Sequence, residues 1–359
     1  MTTTLGVEEE YLLLDASGVP VARSTQVLAT AGRQPRLRSA ELQHELLEVQ
    51  VEVATPVCTG LAEVEEHLVV LRSALARAAR AHECRLAPVG AAPVEPDDAV
   101  TVTDKPRYRD MLRQAPALVE EQLINGMHVH VGVPDRDAGV RVLAGVRAWL
   151  PVVLALSANS PWWRGRDSGF ASFRAVHFAR WPVEGPTPVF ASAEDYEARA
   201  ETLLATGAIR DRGQLYWHAR LSEHLPTVEI RVADVQLEPA TASVLAGLVR
   251  ALAVTALAAA PSPPDAQPPV EVLRAATWTA ARHGLDGDLV DPRDGRARRA
   301  SDVVTLLLAH VRDALEESGD RERVEDHVAQ LLAGGNGATR QRLALREKGV
   351  DGLLELVTL

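Results

Sequence analysis

Three consecutive glutamates stand near the start of the chain. In Gly6-Val7-Glu8-Glu9-Glu10-Tyr11 a strand would send Glu8 and Glu10 to one face and Glu9 to the other, because strand side chains alternate. Two carboxylates on one face repel unless solvent screens them or a cation lies between them, and a hard cation such as Mg²⁺ takes several oxygen ligands. A solvated strand face accounts for the pair as well. His128 and His130, in Gly126-Met127-His128-Val129-His130-Val131, have the same spacing, which suits metal ligation or phosphate contact. Pro226-Thr227-Val228-Glu229-Ile230-Arg231, with Asp234 after it, puts Glu229 and Arg231 on one face. There a carboxylate can hold a cation while a guanidinium grips a phosphate oxygen, or the two can close a salt bridge.

A fourth run, Glu41 to Glu52, alternates through Leu47, Val49, Val51 and Val53. Its parity places Glu48 and Glu52 on the polar face and Glu45 on the opposite one. Arg174, in Ser172-Phe173-Arg174, and Arg220, after Trp217-His218-Ala219, are further candidate anion contacts. Each motif alone has a bland reading, but together they describe a sheet face that gathers carboxylates, imidazoles and guanidiniums. Such a face suits divalent cations bridging nucleotide phosphates. The chain has no Walker A loop, Gly-x-Gly-x-x-Gly turn or Gly-x-Ser-x-Gly elbow to do other chemistry.

The elements that must position these groups follow from periodicity. Strands are expected at Leu5–Asp15, Leu46–Ala54, Met127–Val133 and Thr227–Val235. Thr59 reads as the N-cap of a helix running to about His82, with a stripe of Leu61, Val64, Leu68, Leu71 and Leu75. A polar loop spans Pro88 to Pro106, and a helix is expected around Arg107–Glu121. Val140–Ser157 reads as a helix broken at Pro151, and 160–188 as a loop. Further helices are expected at Glu194–Thr206, Ala240–Ala260, Val270–His283, Ala300–Ser318 and Arg321–Ala333, with a last one after Gly337. A Pro-rich turn covers Pro261–Pro269. Strands with one polar face, interleaved with helices, predict an α+β architecture with an antiparallel sheet.

The 359 residues carry 38 Lys plus Arg against 49 Asp plus Glu, a net charge of −11, with 47% hydrophobic residues. That apolar fraction excludes disorder as the main state, and the acidity argues against a nucleic-acid partner. Cys58 and Cys84 are too few for a disulfide framework and read as buried thiols in a reducing compartment. The apolar run near 248–260 holds Arg250 and is shorter than the roughly 20 residues a membrane span needs. With no basic leader at Met1-Thr2-Thr3-Thr4, a cytoplasmic protein that does not engage a membrane is expected.

These residues closely resemble the carboxylate–amine ligases of the glutamate–cysteine ligase type 2 family, the YbdK-like group. The matching blocks are Leu5–Glu10, His44-Glu45 through Thr55, Gly126–Val131, Leu156–Pro161, Phe170–Arg174, Pro226–Asp234, Ala281–Leu285 and Gly337–Gln341. The resemblance implies a glutamine synthetase-like catalytic fold, a curved antiparallel sheet with a concave polar face and helices on its other side. It implies one catalytic domain over 1–359, helical from about 262. It also implies that ATP phosphorylates a carboxylate and an amine attacks the acyl phosphate, giving an amide, ADP and phosphate. Carried over by position, Glu8, Glu10, Glu45, Glu52, His128 and Glu229 would hold Mg²⁺, or Mn²⁺ in its place. His130 and Arg231 would contact the nucleotide, while Arg174 and Arg231 would serve catalysis and Arg174 and Arg220 the substrates. Family pattern thus favours Glu45 where strand parity favours Glu48. His218 and Leu221 stand where relatives have an acid and a proline, a difference expected to bear on substrate choice. A metal-dependent hydrolase and a non-catalytic nucleotide-binding regulator remain as other readings, and an exposed sheet edge leaves room for a homodimer.

Overall fold

Alternating apolar and charged residues build the sheet, and stripes of Leu, Val and Ala build the helices that cover it. The structure is a computed structural model that describes residues 3–34, 38, 41–95, 100–260 and 267–359. Met1-Thr2 and parts of the loop at 88–106 and the turn at 261–269 lie outside the described residues. In chain order the first half contains β1 (Leu5–Leu14), α1 (Ser24–Ala31), β2 (Leu42–His44), β3 (Gln50–Ala54), α2 (Leu61–Ala81), β4 (Arg85–Ala87), α3 (Pro106–Gln114), α4 (Pro116–Glu120), β5 (Gly126–Gly132), α5 (Arg136–Val146) and α6 (Leu150–Ser157). There follow β6 (Trp162–Trp163), β7 (Arg166–Asp167), α7 (Phe173–Phe178), α8 (Ala193–Ala205), β8 (Ala219–Leu221), β9 (Thr227–Asp234) and α9 (Pro239–Ala258). The C-terminal part holds α10 (Val270–His283), the hairpin β10 (Asp288–Val290) and β11 (Ala297–Arg299), α11 (Ala300–His310), α12 (Arg312–Ser318), α13 (Arg321–Gly334) and α14 (Gly337–Val357).

Seven strands form one sheet in the order β2-β3-β1-β5-β9-β8, with β4 also pairing β1, and every pairing is antiparallel. The apolar face of β1, β5 and β9 contributes Val7, Met127, Val129, Val131, Val228 and Ile230 to one core with residues of α2, α5, α6 and α9. Burying each such side chain stabilises the fold by about 1.5–3 kcal/mol. At the far end of β1 the run Leu12-Leu13-Leu14 is buried on both faces. Leu12 and Leu14 pack there with Tyr108, Met111 and the end of α14. Helix α9 has the length and apolar composition of a membrane span, yet it is core. Its Arg250 is buried, donates to Thr59 O at 2.7 Å and pairs with Asp320.

Five local expectations change. The run 46–54 is not one strand, because β2 and β3 pair as a hairpin whose loop contains Glu45 to Val49. Helix α2 starts at Leu61 with Gly60 as its cap, and Glu63 accepts the Thr59 N–H at 2.8 Å. Pro116 separates α3 from α4, whereas the break expected at Pro151 is present, with Pro151 in the first turn of α6 and a 70° bend between α5 and α6. The long loop at 160–188 contains the β6–β7 hairpin and α7.

The fifth is a β-bulge. Met127 pairs with Ala233 and Val129 with Ile230, so Arg231 and Val232 together oppose His128. The extra residue reverses the parity of β9 beyond it. Ala233 therefore joins the core, and Asp234 turns to the other face. There Asp234 accepts Asn159 N–H at 2.8 Å and the hydroxyls of Ser160 and Ser172 at 2.7 and 2.9 Å. Gln341 in turn donates to Asn159 Oδ1 at 2.7 Å, and a side chain at Gly337 would collide with Asn159. This buried network ties the ends of α6, α14 and β9 together and fixes where the bulge lies.

Candidate active site

Adjacent rungs of the sheet carry the charged groups. Glu8 lies opposite His128 on β5, and Glu10 lies opposite Glu52 on β3. His130 lies opposite Glu229 on β9, which in turn pairs with Arg220 on β8. The rungs line a cleft of about 450 Å³ together with Glu45, Arg174 and Arg231. His128 Nδ1 is 3.3 Å from Glu8 and 3.7 Å from Glu229, and its Nε2 is 3.9 Å from Glu10. His130 Nε2 is 3.5 Å from Glu8, yet it is buried and has no hydrogen-bond partner among the described residues. Its Nδ1 is 2.9 Å from the Thr227 hydroxyl, which orients the ring.

Two groups of ligand-type atoms result, Glu8-Glu52-His128 and Glu8-His130-Glu229, each with atoms within 4.8 Å of one another. Glu8 belongs to both. The electrostatics are those of a site short of positive charge at one end. Burial, and then the charges of Glu45, Glu8 and Glu10, push the Glu52 carboxyl well above the usual range. Burial and then the Glu10 charge bring Glu45 up to about 7. Burial opposes ionisation of Glu229 too, but Arg231 and Arg220 outweigh it and hold that group well below the usual range. Burial also lowers His128, with Arg231 adding to the effect. His130 is raised, because Glu8 and Glu229 outweigh its burial.

Every residue assigned in the sequence to the metal, the nucleotide or the substrates lines this cleft, whereas Glu48, the parity candidate, does not. Glu48 instead accepts the Ser24 hydroxyl at 2.7 Å and the Thr25 N–H at 3.3 Å, at the positive end of α1. The hairpin loop explains the exchange, because parity is not maintained through a turn. Glu45 takes the place in the cleft. Glu10 is partly engaged, accepting the Gly126 N–H at 2.6 Å. Arg174 is buried and donates to Arg231 O at 3.2 Å and Val232 O at 3.4 Å, the carbonyls of the bulge. Its guanidinium lies where a side chain at Gly126 would stand. Arg220 donates to Glu229 at 2.6 Å and to Gly213 O at 2.8 Å. Arg231 pairs with Glu229, and its buried Nε has no partner among the described residues.

His218 does not line the cleft. It sits behind Arg231, with its ring 3.0 Å from Glu184 and its carbonyl accepting the Arg231 N–H at 2.9 Å. His218 thus meets cleft residues from behind, sharing a small pocket with Arg174, Tyr216 and Arg231. The sequence reading missed Lys105, Arg107 and Tyr108, which bring the start of α3 to the cleft, and Tyr216, Trp181 and Glu223 opposite them. One signal was available. Two cations flank Pro106 at a helix N-terminus, where the macrodipole disfavours them, and Arg107 meets Asp211 at 2.7 Å. Beside the charged cleft lies a second, mainly apolar cavity of about 520 Å³. Glu8, His130 and Leu225 line both.

Comparison with known proteins places this geometry. Residues 4–358 match the profile described as glutamate-cysteine ligase family 2. A Salinispora arenicola protein bearing the name glutamate–cysteine ligase 2 is 47% identical over 97% of this chain and 92% of its own. A Nocardia farcinica protein named glutamate–cysteine ligase 2-1 is 45% identical over 97% and 89%. Among solved structures, a glutamate–cysteine ligase from Francisella tularensis in complex with AMP superposes with a TM-score of 0.74 at 13% identity, covering 99% of this chain and 88% of that one. A bifunctional glutathione synthetase from Pasteurella multocida gives a TM-score of 0.74 at 17% identity, over 99% of this chain and 51% of that longer one. At such identities the structural likeness speaks for the fold alone.

Proposed function

The chain belongs to the glutamate–cysteine ligase family 2, and from that membership we propose an ATP-dependent carboxylate–amine ligase that works at the cleft. The observation that carries this reading is the meeting of two overlapping carboxylate–imidazole groups with Arg231 on one sheet face. A carboxylate is a poor electrophile. Transfer of the γ-phosphoryl group of ATP to its oxygen releases ADP and leaves an acyl phosphate. An amine then attacks the acyl carbon, phosphate departs and an amide remains.

The residues present fit Mg²⁺ or Mn²⁺. The donors are hard oxygens with one or two imidazoles, and the unpartnered His130 Nε2 points to a group that should meet it. Glu8, Glu10, Glu45, Glu52, His128 and Glu229 would hold the cations, which when bound neutralise phosphate charge. His130 and Arg231 are assigned to the phosphates. Arg174, which grips the bulge carbonyls, keeps Arg231 in place as well as bordering the substrate. Arg220 orients Glu229 and borders the substrate side. The apolar cavity beyond Glu8 and His130 suits the adenine ring, which leaves the charged cleft, with Lys105 and Arg107, for the acid and the amine. On this reading the sheet curves about the cleft, and the chain acts as one catalytic unit to which α10–α14 add its C-terminal part.

The names of the relatives make glutamate and cysteine the first pair to try. ADP release measured with Mg²⁺ across amino acids and amines tests the reading. ADP formed only with a particular acid and amine, and lost in Glu52→Gln, supports it. Turnover of an amide without ATP would favour a hydrolase, and ATP binding without ADP under every pair a regulator. Indifference to Glu52→Gln would remove the site assignment.

A further inference from the structure

A second cluster lies outside the cleft, where β1 begins. Cys58, Glu63 and His67 each bring one ligand-type atom within 4.8 Å of the others. Glu63 and His67 are four residues apart on the first turns of α2, so they share one helix face. Cys58 reaches them from the segment that leads into the helix. Its thiol is buried and donates to Pro56 O at 3.2 Å. Glu63 is already oriented, because its Oε2 accepts the Thr59 N–H at 2.8 Å, leaving its other oxygen for a further partner. Glu63 and His67 are half-buried, which gives a path in from solvent.

We infer that Cys58, Glu63 and His67 form a separate site for a borderline divalent cation such as Zn²⁺, which staples the start of β1 to α2. Sulfur, imidazole and carboxylate are the three ligand types that Zn²⁺ accepts, at bonds of about 2.0–2.3 Å. Mg²⁺, by contrast, prefers oxygen alone. The set therefore selects a different ion from the one proposed for the cleft. The other cysteine shows what a purely structural thiol looks like here. Cys84 is buried, donates to Ala79 O at 3.3 Å and belongs to no such group among the described residues. On binding, the sulfur–hydrogen bond of Cys58 gives way to a sulfur–metal bond and the proton leaves to solvent.

The staple has a mechanical consequence. Cys58 and Leu5 exchange both backbone hydrogen bonds, each at 2.8 Å. Leu5 begins the strand that carries Glu8 and Glu10. A cation at Cys58 therefore anchors that strand to α2 from outside the cleft, and the neighbouring Leu5, Thr55 and Val57 help to line the apolar cavity.

Cobalt(II) is the probe, added to the full-length protein in excess Mg²⁺. The expected result is a near-ultraviolet thiolate-to-cobalt band that saturates at one equivalent and is bleached by one equivalent of Zn²⁺. Cys84→Ser should leave the band intact, and Cys58→Ser should abolish it. Because Cys58 is buried, the half-exposed variants Glu63→Gln and His67→Asn give the more direct reading. Each should weaken cobalt binding by about tenfold or more. Zn²⁺ should also raise the thermal midpoint of the wild type and leave that of His67→Asn unmoved. No band, a band lost in Cys84→Ser, or undiminished affinity in both half-exposed variants would overturn the site.

Discussion

Glu9 and its neighbours Glu8 and Glu10 are the same residue on one strand, and the sheet gives them opposite fates. On the core side Glu9 is fully buried and completely answered. Arg72 donates to its two oxygens at 2.6 and 2.9 Å, and the Tyr11 hydroxyl adds a third bond. The remaining Arg72 donors go to Gln236 O and Leu237 O at 2.8 and 2.9 Å. On the other side Glu8 and Glu10 meet imidazoles at 3.3–3.9 Å and face further carboxylates. A buried charge whose donors are all present belongs to the fold. A half-buried group of like charges with an unpartnered imidazole nitrogen is capacity for a ligand.

The sharpest test sets the two faces against each other. Arg72→Met leaves the Glu9 carboxylate buried without its cation, and stability should fall by about 3–5 kcal/mol in urea unfolding. The double variant Arg72→Met with Glu9→Leu should recover most of that loss, since no charge then remains in the core. Glu52→Gln should do the reverse. It removes one of several mutually repelling carboxylates, so the cation-free protein should be no less stable than wild type, while ADP release falls by about 100-fold or more. If Glu52→Gln cost as much stability as Arg72→Met, the two faces would not differ in kind.

The asymmetry was partly legible in the sequence. Alternation placed Glu8, Glu10, His128, His130 and Glu229 correctly, because β1, β5 and the first half of β9 are regular and apolar on one side. It failed wherever the chain leaves that regularity. The hairpin loop at 45–49 and the bulge at Arg231-Val232 each reverse parity, which misplaced Glu48 and brings Ala233 to the core side. Arg72 was within reach of sequence reading, since it sits four residues after Leu68 and three before Leu75, on the buried stripe of α2. A charge there requires a buried partner, and Glu9 was the unassigned one. Lys105 and Arg107 left only the mark of two cations at a helix N-terminus, and Tyr108, Tyr216 and Glu223 could not be read locally, because only tertiary packing carries them to the cleft.

Divalent cations give the next contrast. If the site face is an unfilled ligand set, Mg²⁺ at about 100 times its dissociation constant should add about 2.7 kcal/mol to the wild type. Glu52→Gln should lose most of that gain, and Glu9→Gln should keep it. The sign with pH follows from Glu45, raised from 4.5 to about 7 chiefly by burial and then by the Glu10 charge. A carboxyl raised in the folded state contributes stability that is present below 4.5 and lost as pH rises through about 7. The cation-free protein should therefore weaken over that window. Protection by Mg²⁺ should grow over the same window, as the proton it displaces becomes easier to remove. Thermal melts with and without Mg²⁺ from pH 5 to 8 read both trends, and a protection independent of pH would place the cation away from Glu45.

The smallest effect isolates the parity error. Glu48 is the same residue type as Glu45 and three residues away, yet its carboxylate caps α1 through Ser24 and Thr25. Glu48→Ala should cost about 1 kcal/mol, the usual loss for a helix-end partner, and leave ADP release and Mg²⁺ protection unchanged. Glu45→Ala should show the opposite balance, with little loss of cation-free stability because a buried and partly protonated acid is removed. A Glu48→Ala protein that folded normally but lost its response to Mg²⁺ would return that residue to the cleft. The hairpin would then have to open, since the backbone carbonyl of Glu48 holds Arg23 and Ser24 at 3.0 and 2.9 Å.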